Sequence, residues 1–250
     1  MAQIEAVQAI WNGLLDLVYP PRCLVCGAWQ EEPLCPACRH AIQPPDPPFC
    51  DRCGVLIAAD KSLCPACELG PEPPFAWCQA MGRYEGVLRQ AIHRLKYDGK
   101  TALAQPLGKL LAASLERPGS RLLPHPNASD QPAFDRVVPV PLHPSRLRER
   151  GFNQSERIAR IVAQEYGWRL DTRGLRRIRR TKTQTRLGHR ERAQNVQGAF
   201  AVRTSDYFAG QSVLIIDDVL TTGATVKECA QVVKDAGAVR VCITALAQDI

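Results

Sequence analysis

Val213-Leu214-Ile215-Ile216-Asp217-Asp218-Val219-Leu220-Thr221-Thr222-Gly223-Ala224-Thr225 decides how this chain is read. Ser212–Ile216 has the composition of a buried strand, and the strand is expected to end at two adjacent carboxylates. A loop of small residues follows and opens a helix expected over Ala224–Ala236. Open α/β sheets bind ligands beyond the carboxyl ends of their parallel strands. Loop amides and a helix N-terminus there make an anion cradle, to which the Thr221, Thr222 and Thr225 hydroxyls add donors. Gly223 lets the backbone approach a phosphate closely. Two carboxylates beside such a cradle suit a ligand with both a phosphate and a diol, such as a phosphorylated ribose.

Outward from this motif the pattern alternates. Trp77–Tyr84, Arg136–Val140 and Val239–Ala245 read as strands, and Val87–Tyr97, Leu103–Leu115 and Gln154–Tyr166 as helices. In Gln154–Tyr166 the residues Ile158, Ile161 and Val162 share one face. Arg117–Ala133 reads as a loop carrying Pro, Ser and Asn. Strands alternating with helices imply a parallel sheet covered on both faces.

The front of the chain differs in kind. Eight of its eleven cysteines form four Cys-x-x-Cys pairs, Cys23/Cys26, Cys35/Cys38, Cys50/Cys53 and Cys64/Cys67. A two-residue spacing lets both thiolates of one turn face the same ion, and two turns complete the closed tetrahedral site of structural zinc. A redox pair would stand alone at a helix start. Gly27 and Gly54, each following a second cysteine, let backbone amides bend toward the sulfurs. Two zinc sites follow, with consecutive grouping (23/26/35/38 and 50/53/64/67) favoured over interleaving. Residues 20–74 also hold twelve of the twenty prolines. Long helices are thereby excluded and little apolar core remains, so metal is expected to supply the folding energy of this module while the sheet domain folds without it. Cys78, Cys229 and Cys242 stand singly in apolar surroundings and read as buried thiols.

The organisation expected is an amphipathic helix over 1–19, a double zinc-ribbon module over 20–74 and a sheet domain over 75–250. In the first of these Ile4, Val7, Trp11, Leu14, Leu15 and Val18 fall at helical spacing. At 250 residues and 27.6 kDa, 45% hydrophobic and 23% charged, the chain reads as globular. No run of 18 apolar residues offers a membrane span, and Met1–Pro20 carries Glu5 and Asp16 with no Lys or Arg, unlike a signal peptide. Unpaired from disulfides and without a leader, the cysteines point to a cytoplasmic location. The net charge of +7 is concentrated: Arg136–Arg203 holds 17 Lys/Arg against 5 Asp/Glu. An anionic partner belongs to that stretch. Its few aromatics argue against stacking platforms for single strands, leaving weak, salt-sensitive DNA binding.

The acid-pair motif resembles the phosphoribosyl-pyrophosphate (PRPP) binding motif of type I phosphoribosyltransferases. Val137-Val138-Pro139-Val140-Pro141-Leu142-His143-Pro144, Arg146, Arg148 and Arg150-Gly151-Phe152-Asn153-Gln154 resemble the signature of the ComF/GntX family. So do Thr183-Gln184-Thr185, Arg190 through Asn195-Val196, Leu95-Lys96-Tyr97 and the cysteine-rich front end. The resemblance spans residues 14–247. It implies an α/β fold, a type I phosphoribosyltransferase-like parallel sheet preceded by a small four-cysteine zinc-ribbon module.

The same resemblance assigns roles. Asp217 and Asp218 would hold the ribose 2- and 3-hydroxyls, and Thr221, Thr222, Gly223, Ala224 and Thr225 the 5-phosphate. Pro141, Leu142 and His143, with Arg148 and Arg150, would face the pyrophosphate, and Arg176–Arg192 would be a flap. Magnesium would arrive on PRPP with few protein ligands. Purine-salvage relatives carry an aspartate where this chain has Thr221, and no glutaminase nucleophile is present, so neither of those activities is expected. Two readings follow: a phosphoribosyltransferase acting in DNA uptake or utilisation, or a non-catalytic module that binds single-stranded DNA or an uptake helicase at the inner face of the membrane.

Overall fold

The computed structural model describes residues 21–58, 60–117, 120–123, 133–181 and 189–249. The helix expected over 1–19 lies outside them, as do residues 182–188 of the arginine-rich stretch and most of the loop expected over 117–133. In chain order the elements are the short helices α1 (Pro36–His40) and α2 (Pro65–Leu69), then β1 (Trp77–Arg83), α3 (Gly86–Tyr97) and α4 (Ala104–Leu115). Next come β2 (Arg136–Pro139), α5 (Pro144–Arg150), α6 (Gln154–Tyr166), β3 (Leu175–Arg177), α7 (His189–Val196) and β4 (Phe200–Val202). The chain closes with β5 (Ser212–Leu220), α8 (Ala224–Asp235) and β6 (Arg240–Gln248).

β1, β6, β5 and β2 form one sheet in that order, with every pairing parallel. β3 and β4 make a separate antiparallel pair. Alternate residues of the central strands feed two cores. Leu214, Ile216, Cys242 and Leu246 pack with α4 and α6 on one face. Val213, Ile215, Val241 and Ile243 pack with α8 on the other. Both faces are covered, which is why these strands read as continuous apolar runs. Cys78, Cys229 and Cys242 are buried, as expected.

β5 runs further than its apolar stretch. It continues through Asp217 and Asp218 to Leu220, because β6 extends alongside it and pairs Asp217 with Ala245 and Leu220 with Gln248. On its other side β2 stops at Pro139. The two acids therefore sit in a hydrogen-bonded strand whose β2 edge has been vacated, and α6 begins there. Asn153 builds that start: its Oδ1 accepts from Ser155 N (3.1 Å) and its Nδ2 donates to Val140 O (3.0 Å).

The cysteine-rich segment docks along β1. Cys23, Cys35 and Cys38 join the core that holds Trp77, Met81 and Leu88. The second four cysteines join the opposite core with Phe75, Cys78 and Ala80. Cys78 N donates to Cys53 O at 2.8 Å. At Gly54 the φ is +81°, and a Cβ would lie 2.4 Å from Cys78 O and 2.5 Å from the Trp77 ring. Only glycine permits this approach. The sheet domain is expected from the sequence to stay largely folded without metal, yet each four-cysteine site shares a core with one face of the sheet.

Candidate functional site

Both metal sites are formed from consecutive pairs, Cys23/Cys26/Cys35/Cys38 and Cys50/Cys53/Cys64/Cys67, with the sulfurs of each set within 4.8 Å of one another. Cys23–Cys38, Cys26–Cys35 and Cys53–Cys64 sulfur separations are 3.8, 3.7 and 3.8 Å. A tetrahedron with Zn–S of about 2.3 Å has edges of about 3.8 Å. In each set one thiol is held low. Burial opposes ionisation of Cys23 and Cys50, but backbone N–H groups around each sulfur prevail and bring them to about 6 and about 7. The two sites fit two structural zinc ions.

The acid pair lies at the carboxyl end of the sheet in a cleft of about 310 Å³. Asp217 Oδ1 accepts from Ser155 Oγ (3.1 Å) and from Asp218 N (2.9 Å). Burial, then the adjacent Asp218 charge, pushes the Asp217 carboxyl up to about 7. Asp218 Oδ2 lies 2.8 Å from Lys96 Nζ, and both side chains are largely buried. Burial alone would lower the Lys96 ammonium, but the Asp218 carboxylate outweighs it and raises its pKa.

Gly223 has a φ of +71° and N-caps α8, so the loop turns into the helix without strain. Thr222 Oγ1 accepts from Ala224 N at 3.4 Å. On the opposite wall Arg150 donates to Gln154 Oε1 and lies 5.3 Å from the Tyr97 ring centroid. Arg177 comes from β3, lies 5.2 Å from the Phe200 ring centroid and donates to Thr181 Oγ1. Burial lowers its pKa. Its Nε is buried without a hydrogen-bond partner among the described residues.

Of the residues singled out from the sequence, Asp217, Asp218, Thr221, Gly223, Ala224, Thr225, Leu142 and Arg150 line this cleft. Thr222 lines an adjoining cavity instead. Pro141 and Arg148 do not line the cleft, and Arg148 is exposed. His143 caps α5, its Nδ1 accepting from Ser145 N at 3.2 Å. Sequence reasoning assigned no role to Lys96, Arg146, Ser155 or Asp249, which also line the cleft, as do Arg177 and Thr181 of the stretch expected to be a flap. Lys96 and Arg146 stood within quoted motifs; Ser155 follows one, and nothing local marked Asp249.

Sheet, acid pair and loop together are those of a phosphoribosyltransferase fold, and the paired knuckles ahead of them add a double zinc ribbon. The "Double zinc ribbon domain" family model matches residues 14–83, and the "Phosphoribosyl transferase domain" model matches residues 153–249. The chain is 31% identical over 237 residues to the DNA utilization protein YhgH of Salmonella typhi, covering 94% of this chain and 100% of that protein. It is 28% identical over 221 residues to Competence protein F of Haemophilus influenzae, covering 86% and 90%. This chain belongs to the ComF family. Among solved structures, the glutamine PRPP amidotransferase of B. subtilis is similar at 20% identity and a TM-score of 0.34, over 56% of this chain and 25% of that one.

Proposed function

We propose that this protein binds PRPP in the cleft and transfers its phosphoribosyl group to an acceptor, in the cytoplasm, as part of DNA uptake or utilisation. One observation carries the reading: a buried acid pair stands directly before a Thr-Thr-Gly loop that opens onto the N-terminus of α8, at the carboxyl end of a parallel sheet. In this reading Asp217 and Asp218 accept the ribose hydroxyls, and the amides of 221–225 hold the 5-phosphate. Leu142, Arg150 and Arg177 lie where the pyrophosphate leaves, and the arginines offset the charge that gathers on it. Magnesium, when carried on the pyrophosphate, would supply further positive charge there. The similarity to a DNA utilization protein and to Competence protein F supports the cellular setting.

Calorimetric titration with PRPP, with and without magnesium, tests this. One saturable magnesium-dependent site is expected, weakened roughly 10–150-fold by Asp217→Ala, the worth of about 1.5–3 kcal/mol for hydrogen bonds to a charged group. No binding at millimolar PRPP overturns it.

A second reading, a binding module for single-stranded DNA or a helicase partner, draws on the exposed cations Arg173, Arg176 and Arg180. No helix among the described residues is long and apolar enough to cross a membrane, so a membrane-bound helicase would be met from outside the bilayer.

A further inference from the structure

Lys96 is carried to the acid pair by the packing of α3. Leu88, Ala91, Ile92 and Leu95 bury one side of that helix, and its last turn brings Lys96 to the wall of the cleft. The Lys96 side chain is 15% exposed and that of Asp218 7%. Burial opposes the charge on the ammonium, but Asp218 first and then Asp217 outweigh it. A buried ion pair adds little net stability over apolar side chains of similar volume. Stability alone does not account for one placed in a ligand cleft.

The four carboxylate oxygens divide by what holds them. Asp217 Oδ1 takes Ser155 Oγ and Asp218 N. Asp218 Oδ2 faces Lys96 Nζ at 2.8 Å and is fully buried. Asp217 Oδ2 and Asp218 Oδ1 make no hydrogen bond or ion pair with any described residue. Each acid therefore has one oxygen fixed by the protein and one left for a ligand, a match for the two hydroxyls of a cis-diol. A divalent ion or its water reaches Asp218 Oδ2 only by displacing the ammonium. We infer that Lys96 is a positioning residue that fixes Asp218 for the ribose cis-diol and supplies the cation of this half of the cleft, so that ribose is held there without metal. The inference rests on the phosphoribosyl reading of the cleft and divides the labour within it. Any metal is left to the pyrophosphate, and the ribose half depends on a charge that the chain itself carries. Loss of one hydroxyl leaves a carboxylate oxygen unpaired, the situation in which a site rejects an analogue strongly.

Calorimetric titration of the full chain with ribose 5-phosphate and 2-deoxyribose 5-phosphate tests this, with magnesium omitted rather than chelated so that the cysteine sites are undisturbed. The wild type is expected to favour ribose 5-phosphate by roughly tenfold or more. Added magnesium should change that affinity by no more than about twofold. Lys96→Met should lose most of the sugar preference and bind more tightly with magnesium, which can then meet the freed carboxylate. Lys96→Gln keeps a donor at Asp218 without the charge, and carries the test if Lys96→Met fails to fold. It should keep the sugar preference and become magnesium-dependent. Lys96→Arg, which keeps the charge, should bind without magnesium as the wild type does. A magnesium response that is the same in the wild type and the neutral variants overturns the role of Lys96 and leaves the reading of the cleft standing. A wild type that binds PRPP yet does not hold ribose 5-phosphate without magnesium overturns it as well, as does equal affinity for the two sugars. Failure to bind PRPP and both sugar phosphates removes the reading of the cleft, and the inference with it.

Discussion

Lys96 Nζ lies 2.8 Å from Asp218 Oδ2, joining the end of α3 to the acid pair of β5. The cleft thus carries one of its two carboxylates already paired. Asp217 has no ion pair at that distance among those of the described residues and is held by Ser155 Oγ and the Asp218 amide. Two adjacent acids, alike in sequence, are physically different groups. Removing Asp217 relieves a like-charge repulsion, whereas removing Asp218 relieves the same repulsion but also leaves the buried Lys96 ammonium without its partner.

Lys96→Met is therefore expected to destabilise the chain by about 3–5 kcal/mol, since it strands a buried carboxylate beside another. Asp218→Asn costs less, because the Lys96 amine can neutralise, and Lys96→Met/Asp218→Asn should recover most of the loss. Urea denaturation of the three variants measures this. Additive losses in the double variant would mean that the pair is not coupled.

Asp217 sets a pH dependence of opposite sign to the usual carboxylate. Its folded value, about 7, lies above its unfolded value near 3.8. The folded state binds the extra proton between these values, so the contribution is complete below pH 4 and is lost as pH rises through 7. Stability should fall by at most ~1.4 kcal/mol per pH unit in that window. Asp217→Asn should flatten the curve of melting temperature against pH between 5 and 8. An unchanged curve assigns the dependence elsewhere.

Zinc removal should reach the sheet. The first site shares a core with Trp77 and Leu88, and the second with Phe75 and Cys78. Chelation is expected to lower the melting temperature of the whole chain in one transition and to loosen amide protection in β1. Gly54→Ala should mimic part of this by more than about 1 kcal/mol, since its positive φ and the close Cys78 oxygen both oppose a Cβ. A separate early transition confined to residues 20–74 would contradict the shared core.

The arginines divide into two tasks. Arg177 is half-buried in the cleft, whereas Arg173, Arg176 and Arg180 are exposed. Arg177→Ala should weaken PRPP binding with little change in DNA binding. The triple alanine variant of the exposed three should flatten the salt dependence of single-stranded DNA binding, by roughly 0.7 in slope per lost phosphate contact. An unchanged slope makes them solvated surface.

Much of this was legible along the chain. The four Cys-x-x-Cys pairs and the 213–225 stretch are contiguous, so their chemistry depends on spacing that local geometry alone fixes. Helix α6 was also readable end to end, because Asn153 caps it, Gly167 stops it and its apolar face has the helical period. The extension of β5 past Ile216 was not, because carboxylates are poor strand formers. Their place there depends on a neighbour, β6, that continues beside them.

The sequence alone determined the class of metal site and the parallel sheet, since the first follows from spacing within a turn and the second from strands alternating with helices along the chain. Only the tertiary structure decided which acid meets Lys96, that Arg177 enters the cleft while its neighbours face solvent, and that Asp249 reaches Leu220. Each of those contacts joins residues far apart in the chain. A side chain's partner across such a distance is set by how helices and strands pack, not by the residues beside it.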